Sequence, residues 1–431
     1  ESLAEAKASE IEDDAAIEAR ERAEHDRWAR RRKHVFVLTS SGKPIYSRYG
    51  DALELSGLMG VFPALLARCG DNPLRSMRAG DRLFVVLNRD PIYLVAVSST
   101  GEGEAYLLKQ LDYLFHQLLF VLTDTVLKTL QRRPGFDVRH MLGDAETQLN
   151  GLIRTANDRP DMLFDAVMCV PLSHATRKSV TKSIKNAVDQ SILFAIMLTP
   201  DQLVTLIQPK APHLHLPLTD VVMLLNFLRT KKRLHVSDVW LPFCLPHFNT
   251  SGHVHAYVSH VAPSVCLMLV STDSDAAAVP KLRACAMRAR QSLEDTGTLH
   301  TVATAGEVRE FDVGVLGVPG LLHFAYYQPG LSQYTSSSFT SSRDGPRQRK
   351  RILRRYQGIR AMMAAASPPH RECCEVFSDE TIAAMVQDSF ELFAAFEPIV
   401  TARDVTKRMG TILQWVHRKE RVLFAPKFET W

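Results

Sequence analysis

The stretch from Lys33 to Gly50, KHVFVLTSSGKPIYSRYG, predicts two short strands and the turn that joins them. Val35–Thr39 is rich in β-branched and aromatic residues, as strands are. Ser40–Pro44 contains Ser, Gly and Pro, which are the residues that turns favour. Ile45–Tyr49 then returns as a second strand. A β-hairpin therefore opens the folded part of the chain.

Further elements follow the hairpin in a recognisable order. A helix is predicted from Asp51 to about Cys69, because apolar residues recur there at helical spacing. Leu83–Leu87 and Ile92–Val97 are predicted strands on either side of a turn. An apolar-periodic helix extends from about Glu104 to Gln131. The order is strand, strand, helix, strands, helix.

The same order of elements returns twice, with negligible sequence identity between the rounds. The second round consists of predicted strands at Ile192–Leu198, Leu203–Gln208, His235–Leu245, Val254–Val261 and Val265–Val270, with helices at Leu218–Arg229 and Ser274–Leu293. The third consists of predicted strands at Leu322–Tyr327, Gln333–Phe339, Val376, Thr381–Gln387 and Phe390–Phe396, with helices at Arg347–Ala366 and Ala402–Arg418. A repeated element order predicts three similar units of the α/β (α+β) class.

Length and composition agree with several soluble domains. The 431 residues carry a net charge of +5 and are 46% apolar, which excludes a mostly disordered chain. We predict a charged lead-in at 1–33 and domains at 34–190, 191–305 and 306–431. The acidic segment Glu1–Glu24 lacks the apolar stretch of a signal peptide, and seven scattered cysteines suit reduced thiols. We therefore expect a cytoplasmic protein.

The motifs of common catalysts are missing from the sequence. Gly42-Lys43 resembles part of a phosphate-binding loop, but Val37 and Pro44 stand where that loop needs Gly and a hydroxyl residue. Gly-Xaa-Ser-Xaa-Gly, His-Glu-Xaa-Xaa-His and the kinase His-Arg-Asp motif do not occur. We expect no bond-making catalysis and no cofactor.

Two histidine pairs leave a metal site open as an alternative. His213/His215 and His253/His255 have the spacing that places two imidazoles on one face of a strand. A zinc site needs three or four converging ligands, and no carboxylates accompany these pairs. Exposed histidines on a strand are the simpler interpretation, and we predict no metal.

Basic residues gather in four places: Trp28–Lys33, Arg177–Lys185, Arg229–Arg233 and Arg343–Arg355. Nucleic acid, an acidic protein or anionic lipid could each bind such clusters, and a solvated helix face is the alternative for each. Aromatic platforms do not accompany these runs, so nucleic acid is the weakest of the three targets.

Several blocks of the sequence resemble the SAND family, the monensin-sensitivity vacuolar fusion proteins. These blocks are Lys33–Leu38, Ser41–Gly50, Met59–Val61, Leu94–Val97, Cys244–Asn249, Leu269–Asp273, Phe390–Phe393 and Trp415–Val416. These blocks are spread along the chain, so the resemblance extends over essentially everything from Lys33 onward. The resemblance implies three longin domains, each a small, mostly antiparallel sheet flanked by helices.

The resemblance also implies a function and partners. Members pair with a second tri-longin subunit, the calcium-caffeine-zinc-sensitivity protein, and a β-propeller-containing third subunit joins in animals. The heteromer is a guanine-nucleotide exchange factor for the late-endosomal and vacuolar Rab GTPase (Rab-seven). It binds phosphatidylinositol 3-phosphate and other anionic lipids, and it promotes endosome maturation, autophagosome–lysosome fusion and vacuole fusion. Peripheral recruitment to those membranes is expected.

By this resemblance, the first longin domain contacts both the GTPase and the partner subunit. The expected GTPase contacts are Ser40, Ser41, Lys43, Tyr46, Arg48 and Tyr49. The expected interface with the partner subunit is Ile45, Leu55, Met59 and Phe62. Both sets have a structural alternative, since Tyr46 can be a half-buried strand residue and the interface residues can be plain core.

The lipid-binding candidates rest on charge density alone. They are Arg177, Lys178, Lys182, Lys185, Arg347, Arg349, Lys350, Arg351, Arg354 and Arg355. A basic residue near an anionic membrane contributes about 1 kcal/mol, so four to six could hold a peripheral complex there. A different class of function also remains open, namely a longin trafficking adaptor that binds a loaded small GTPase without catalysing exchange.

Overall fold

A computed structural model describes most of the chain. The described residues are 23, 26–50, 57, 60–62, 64, 74–133, 136–143, 145–189, 191–231, 238–308, 310–340, 345–398, 400–425 and 428–431. The chain divides into two units. The first contains the described residues up to Leu111 together with Leu130–Asp137, and the second contains Asp112–Thr129 and Val138–Trp431.

The first unit is built on a five-stranded antiparallel sheet. Its strands are β1 (Lys33–Thr39), β2 (Pro44–Ser47), β3 (Ser76–Ala79), β4 (Arg82–Arg89) and β5 (Ile92–Ser98). They lie in the order β2-β1-β5-β4-β3. One face of the sheet buries Phe36, Leu38, Val86, Val95 and Val97, which alternate along their strands as a half-buried sheet requires. The predicted helix from Asp51 to Cys69 lies mostly outside the described residues.

The long helix α1 (Glu104–Arg132) follows this sheet. It is interrupted at Thr123, whose φ of 58° and ψ of 161° are not helical. Its middle, Asp112–Thr129, belongs to the second unit. There the buried Gln117 side chain donates to the Gln148 side chain and accepts from the Asn226 side chain, each at 3.0 Å. These hydrogen bonds satisfy most of the side-chain polar atoms in this helix-packed core, and Asn226 Oδ1 is the exception.

A connector of short elements precedes the second sheet. Its elements are α2 (Arg139–Leu142), α3 (Ala145–Asp158), α4 (Asp161–Phe164), β6 (Val167–Met168) and α5 (His174–Ala187). Ser173 begins α5 as its N-cap and accepts a hydrogen bond from the Thr176 amide.

The second round of elements matches the predicted order. Its elements are β7 (Phe194–Leu198), β8 (Leu203–Gln208), α6 (Leu218–Thr230), β9 (Val239–Leu245), β10 (Asn249–Ala262), β11 (Val265–Ser271), α7 (Val279–Asp295) and α8 (Thr298–Glu307). Helices α5, α7 and α8 contribute to the core of this sheet through residues such as Ile184, Leu293 and Val302.

The third round completes the chain. Its elements are β12 (Leu321–Gln328), β13 (Gln333–Ser336), α9 (Pro346–Ala365), β14 (Glu372–Val376), β15 (Thr381–Val386), β16 (Glu391–Phe396), α10 (Ala402–Leu423) and β17 (Glu429–Thr430). Three sheets flanked by helices confirm the predicted fold class.

Two short strands cross between the rounds. The second sheet has the order β17-β8-β7-β11-β10-β9, and the third has β14-β15-β16-β12-β13-β6. The pairs β17/β8 and β6/β13 are parallel, whereas the other pairs in these sheets are antiparallel. The predicted domain 34–190 thus supplies a strand to the third sheet, and the predicted domain 306–431 supplies one to the second.

Candidate functional site

The β1–β2 hairpin presents a small polar turn. The Gly42 amide donates to the Thr39 carbonyl at 2.9 Å, and Gly42 adopts a φ of 84° that glycine tolerates without strain. The Lys43 amide donates to the Thr39 hydroxyl at 3.0 Å. Ser41 and Lys43 are exposed and Ser40 is partly exposed. These three predicted GTPase contacts therefore lie together on a surface turn.

Other predicted contacts of the hairpin are buried. Tyr46 has no exposed surface, so its side chain is part of the core, and its predicted direct GTPase contact is wrong for this conformation. Ile45 is 3% and Phe62 8% exposed, with the Phe62 ring 6.0 Å from Phe36. In this chain alone, both side chains are therefore core residues, which was the alternative interpretation. Their role at an interface with the partner subunit stays a prediction. Leu55 and Met59 lie outside the described residues.

Arg48 and Tyr49, directly after β2, belong to a basic aromatic cluster. The guanidinium carbons of Arg31 and Arg48 lie 4.8 and 5.0 Å from the centre of the Tyr49 ring. Such cation–π contacts fix the orientation of each guanidinium. The His34 ring lies 6.0 Å from the Tyr49 ring, and burial first, then Arg82 and Arg48, lower its pKa to about 4.

A buried ion pair anchors the start of β1. The Lys33 ammonium lies 2.9 Å from both carboxylate oxygens of Glu102 and also donates to Gln110. Burial raises the pKa of Glu102, but Lys33 outweighs it and lowers the pKa to about 2. Both charges are satisfied internally, so this pair supports the hairpin and leaves no reactive group.

One lipid-binding candidate on α5 is wrong for a physical reason. Arg177 is only 9% exposed, and its guanidinium donates to the carbonyls of Val170, Val204 and Val422. A side chain held by three backbone carbonyls in the interior cannot reach a lipid headgroup. Its neighbours on α5 remain candidates: Lys178 and Lys182 are exposed and Lys185 is partly exposed, with Lys185 paired to Glu429 at 2.9 Å.

Some of the basic side chains of helix α9 form ion pairs within the protein. Arg351 and Arg355 both pair at 2.8 Å with Glu380, whose side chain is fully buried. These two arginines therefore hold β15 against α9, and their predicted membrane contact competes with buried ion pairs. Lys350 lies 3.8 Å from Asp158, and the Arg349 guanidinium stacks on Phe339.

The outer surface of α9 keeps some of its basic character. Arg347 is exposed, and no ion pair involves it among the described residues. Arg354 is partly exposed. The lipid role of Arg347, Arg349, Lys350 and Arg354 stays a prediction.

Comparison with known proteins assigns the architecture to a family. Three consecutive family models match: the first, second and third longin domains of FUZ, MON1 and HPS1, at residues 33–152, 190–291 and 320–420. Vacuolar fusion protein MON1 homolog A of Bos taurus is 33% identical over 423 residues, which are 97% of this chain and 75% of that protein. The chain belongs to the MON1/SAND family.

Other members of the MON1/SAND family show how widely the similarity extends. Protein SAND of Takifugu rubripes is 32% identical over 402 residues, covering 92% of this chain and 76% of that protein. A MON1 homolog of Oryza sativa is 28% identical over 430 residues, covering 92% and 75%. The resemblance seen in the sequence blocks is therefore confirmed, and the relatives' names associate them with vacuolar fusion.

Among the described residues of this MON1/SAND chain, no group of three or more His, Cys, Asp or Glu side chains converges as metal ligands would. Burial raises the pKa of the Cys244 and Cys266 thiols to about 12, which suits core packing and not nucleophilic attack. Among the described helices, none is long and apolar enough to cross a membrane.

Proposed function

We propose that this chain is a subunit of a guanine-nucleotide exchange factor for the late-endosomal and vacuolar Rab GTPase (Rab-seven), acting with a second tri-longin subunit. The observation that carries the proposal is the succession of three MON1-type longin domains over most of the chain. The relatives named vacuolar fusion proteins support a role in vacuole fusion. Endosome maturation and autophagosome–lysosome fusion are further parts of the proposal.

Exchange needs differential binding and no proton transfer. A factor that binds the nucleotide-free GTPase better than the loaded form weakens nucleotide binding by the same factor. It does so by holding open the switch segment that covers the nucleotide and its magnesium ion. An exposed polar turn on a rigid sheet is a suitable element for this task, because it can displace a segment without itself deforming.

The proposed GTPase contacts are the accessible members of the predicted set. Ser40, Ser41 and Lys43 lie on the hairpin turn, and Arg48 and Tyr49 lie just beyond β2. Tyr46 supports the hairpin from inside, since its side chain is fully buried. Lys43 and Arg48 are the cations of this predicted set, and we propose that they contact acidic groups of the switch region.

The test is release of a fluorescent guanine nucleotide from the late-endosomal Rab by this chain copurified with its tri-longin partner. We expect strong acceleration, reduced by about tenfold in Lys43→Gln, since a charged contact contributes about 1.5 kcal/mol or more. Arg78→Gln, an exposed arginine on β3 at the end of the sheet opposite the hairpin turn, is the matched control and should exchange normally. If the Lys43→Gln variant accelerates nucleotide release as strongly as the wild-type chain, the GTPase contact lies elsewhere on the chain. No acceleration, combined with tight binding of the loaded GTPase, makes the chain an adaptor.

Membrane recruitment is a separate part of the proposal. A β-propeller-containing subunit and anionic lipids, including phosphatidylinositol 3-phosphate, are the proposed further partners. The accessible lysines of α5 and the outer cations of α9 are the proposed lipid contacts. Charge reversal at Arg347, Lys350 and Arg354 should reduce flotation with anionic vesicles, whereas unchanged flotation would contradict the role of α9.

A further inference from the structure

The basic run Trp28–Lys33 has no part in the exchange proposal, yet the structure holds it firmly. The Trp28 indole N–H donates to the Tyr49 carbonyl at 3.1 Å, and the ring centre lies 4.4 Å from that of His34. The Arg82 guanidinium donates to the Ala29 carbonyl at 3.0 Å. This run is therefore bound to one end of the first sheet.

Three arginines from separate parts of the chain lie at that end. Arg31 precedes β1, Arg48 follows β2 and Arg82 begins β4. The strand register places their elements side by side, because Ser98 of β5 faces both the first residue of β1 and Leu83 of β4. Arg31 and Arg48 stack on the one ring of Tyr49.

Nothing in the described part of the chain neutralises these charges. No carboxylate there forms an ion pair with Arg31, Arg48 or Arg82. The positive charge acts on buried His34, whose pKa is lowered most by burial, next by Arg82 and less by Arg48. Like charges at one end of the sheet repel one another, so an anion bound there would reduce an electrostatic repulsion that is already present in the folded chain.

We propose that Arg31, Arg48 and Arg82 form a binding site for a phosphate monoester, with Tyr49 as the residue that positions two of them. A guanidinium presents a rigid fork of donors that matches phosphate oxygens, and stacking on a ring reduces the entropy lost on binding. A lysine-rich surface responds to diffuse negative charge, whereas oriented arginines favour one defined anion. The ligand is a soluble phosphate ester or the phosphorylated headgroup of a membrane lipid.

The experiment measures binding directly, so its outcome is independent of exchange activity even though Arg48 and Tyr49 are also proposed GTPase contacts. Inorganic phosphate is titrated into the full chain by calorimetry at fixed ionic strength. The site variant replaces Arg31, Arg48 and Arg82 by Gln. The matched control replaces Arg89, Arg132 and Arg133, which lie at the opposite end of the sheet near Asp90, so it removes the same charge.

We expect about tenfold or greater weakening of phosphate binding in the site variant and less than about twofold in the control. Tyr49→Leu keeps every charge and should also weaken binding, and it decides the question if the triple variant does not fold. Equal affinities in the site and control variants would overturn the proposal, as would undetectable binding by the wild-type chain.

Vesicles distinguish the two sources of phosphate. One set contains a phosphatidylinositol monophosphate, and the other contains phosphatidylserine at the same surface charge. A preference for the first set that the site variant loses assigns the lipid headgroup. If the site variant loses phosphate binding but the wild-type chain shows no preference between the two sets of vesicles, the ligand is a soluble phosphate ester.

Discussion

The substitution Asp161→Asn tests whether a buried charge cluster holds the second unit together. Asp161 is 1% exposed and accepts hydrogen bonds from Arg159 at 3.0 Å and from the Tyr334 hydroxyl, with Arg229 at 3.5 Å. Asp201 pairs with the same two arginines, each at 3.0 Å. Two guanidiniums thus share two carboxylates at a point where α4, α6, the β7–β8 turn and β13 meet.

The size of the effect follows from this arrangement. Burial raises the pKa of Asp161, but Arg159 and Arg229 outweigh it and hold the pKa below its usual range. The carboxylate is therefore ionised in the native state, and Asn leaves two buried cations against one anion. Removing one partner of a buried pair costs about 3–5 kcal/mol. Since a domain has only about 5–15 kcal/mol of stability in total, the loss should be large.

Denaturant unfolding of the full chain, followed by circular dichroism, measures the loss. Asp388→Asn is the matched control, because Asp388 is 93% exposed and its pair with Arg371 is on the surface. Such a pair contributes about 0–1 kcal/mol. Adding Arg229→Gln to Asp161→Asn restores one cation for one anion and should recover part of the loss. A loss below about 1 kcal/mol for Asp161→Asn, or no recovery in the double variant, would refute the reasoning.

Three further predictions concern the second unit. His323 is fully buried, and burial first and Arg349 second lower its pKa to about 3. As the pH falls below about 6.5, the unfolded chain therefore binds a proton that the folded chain does not bind. Stability, measured by denaturant midpoints, should decline toward pH 3 with a steeper slope than in His323→Gln. Gly151→Ala places a Cβ against the Thr230 methyl and 2.9 Å from Asn226 Oδ1, so the thermal midpoint should drop, and the Gly151→Ala, Thr230→Ser double variant should recover part of the loss. Arg177→Gln should lower stability by about 2–4 kcal/mol, because buried carbonyls lose their donors, yet leave vesicle flotation of the folded fraction unchanged; reduced flotation would return Arg177 to the lipid surface.

Periodicity and turn chemistry predicted much of the fold. The strand Leu203–Gln208 has the bounds expected from its apolar run, and the helix Leu218–Thr230 extends one residue beyond the prediction. Local signals suffice there because each element buries a face that its own residues define. The strands Val167–Met168 and Glu429–Thr430 had no such signal, since two residues show no period and their parallel partners are distant in sequence.

The candidate site shows the same limit for single side chains. Arg177 was chosen for its charge, but it lies three and seven residues before Val180 and Ile184, on the apolar stripe of α5. Helical spacing could therefore have shown that it points inward. Tyr46 offered no comparable signal, because a strand of four residues alternates too briefly to assign its faces. The meeting of Arg31, Arg48 and Arg82 depends on strand register, which the sequence does not specify locally.

The crossing strands have a physical consequence for the sheet edges in the second unit. β17 covers the outer edge of β8 and β6 covers that of β13, so each sheet has one edge capped by a segment distant in sequence. The opposite edges are β9 and β14. β9 carries Pro242, which has no amide to donate, and β14 carries Glu372 and Glu375, whose like charges disfavour pairing with a second copy of the strand. Two sheet edges in this unit are thus covered by strands of the same chain. The other two carry residues that disfavour pairing with a strand of another copy. Association through the sheet edges therefore does not compete with specific docking elsewhere on the unit.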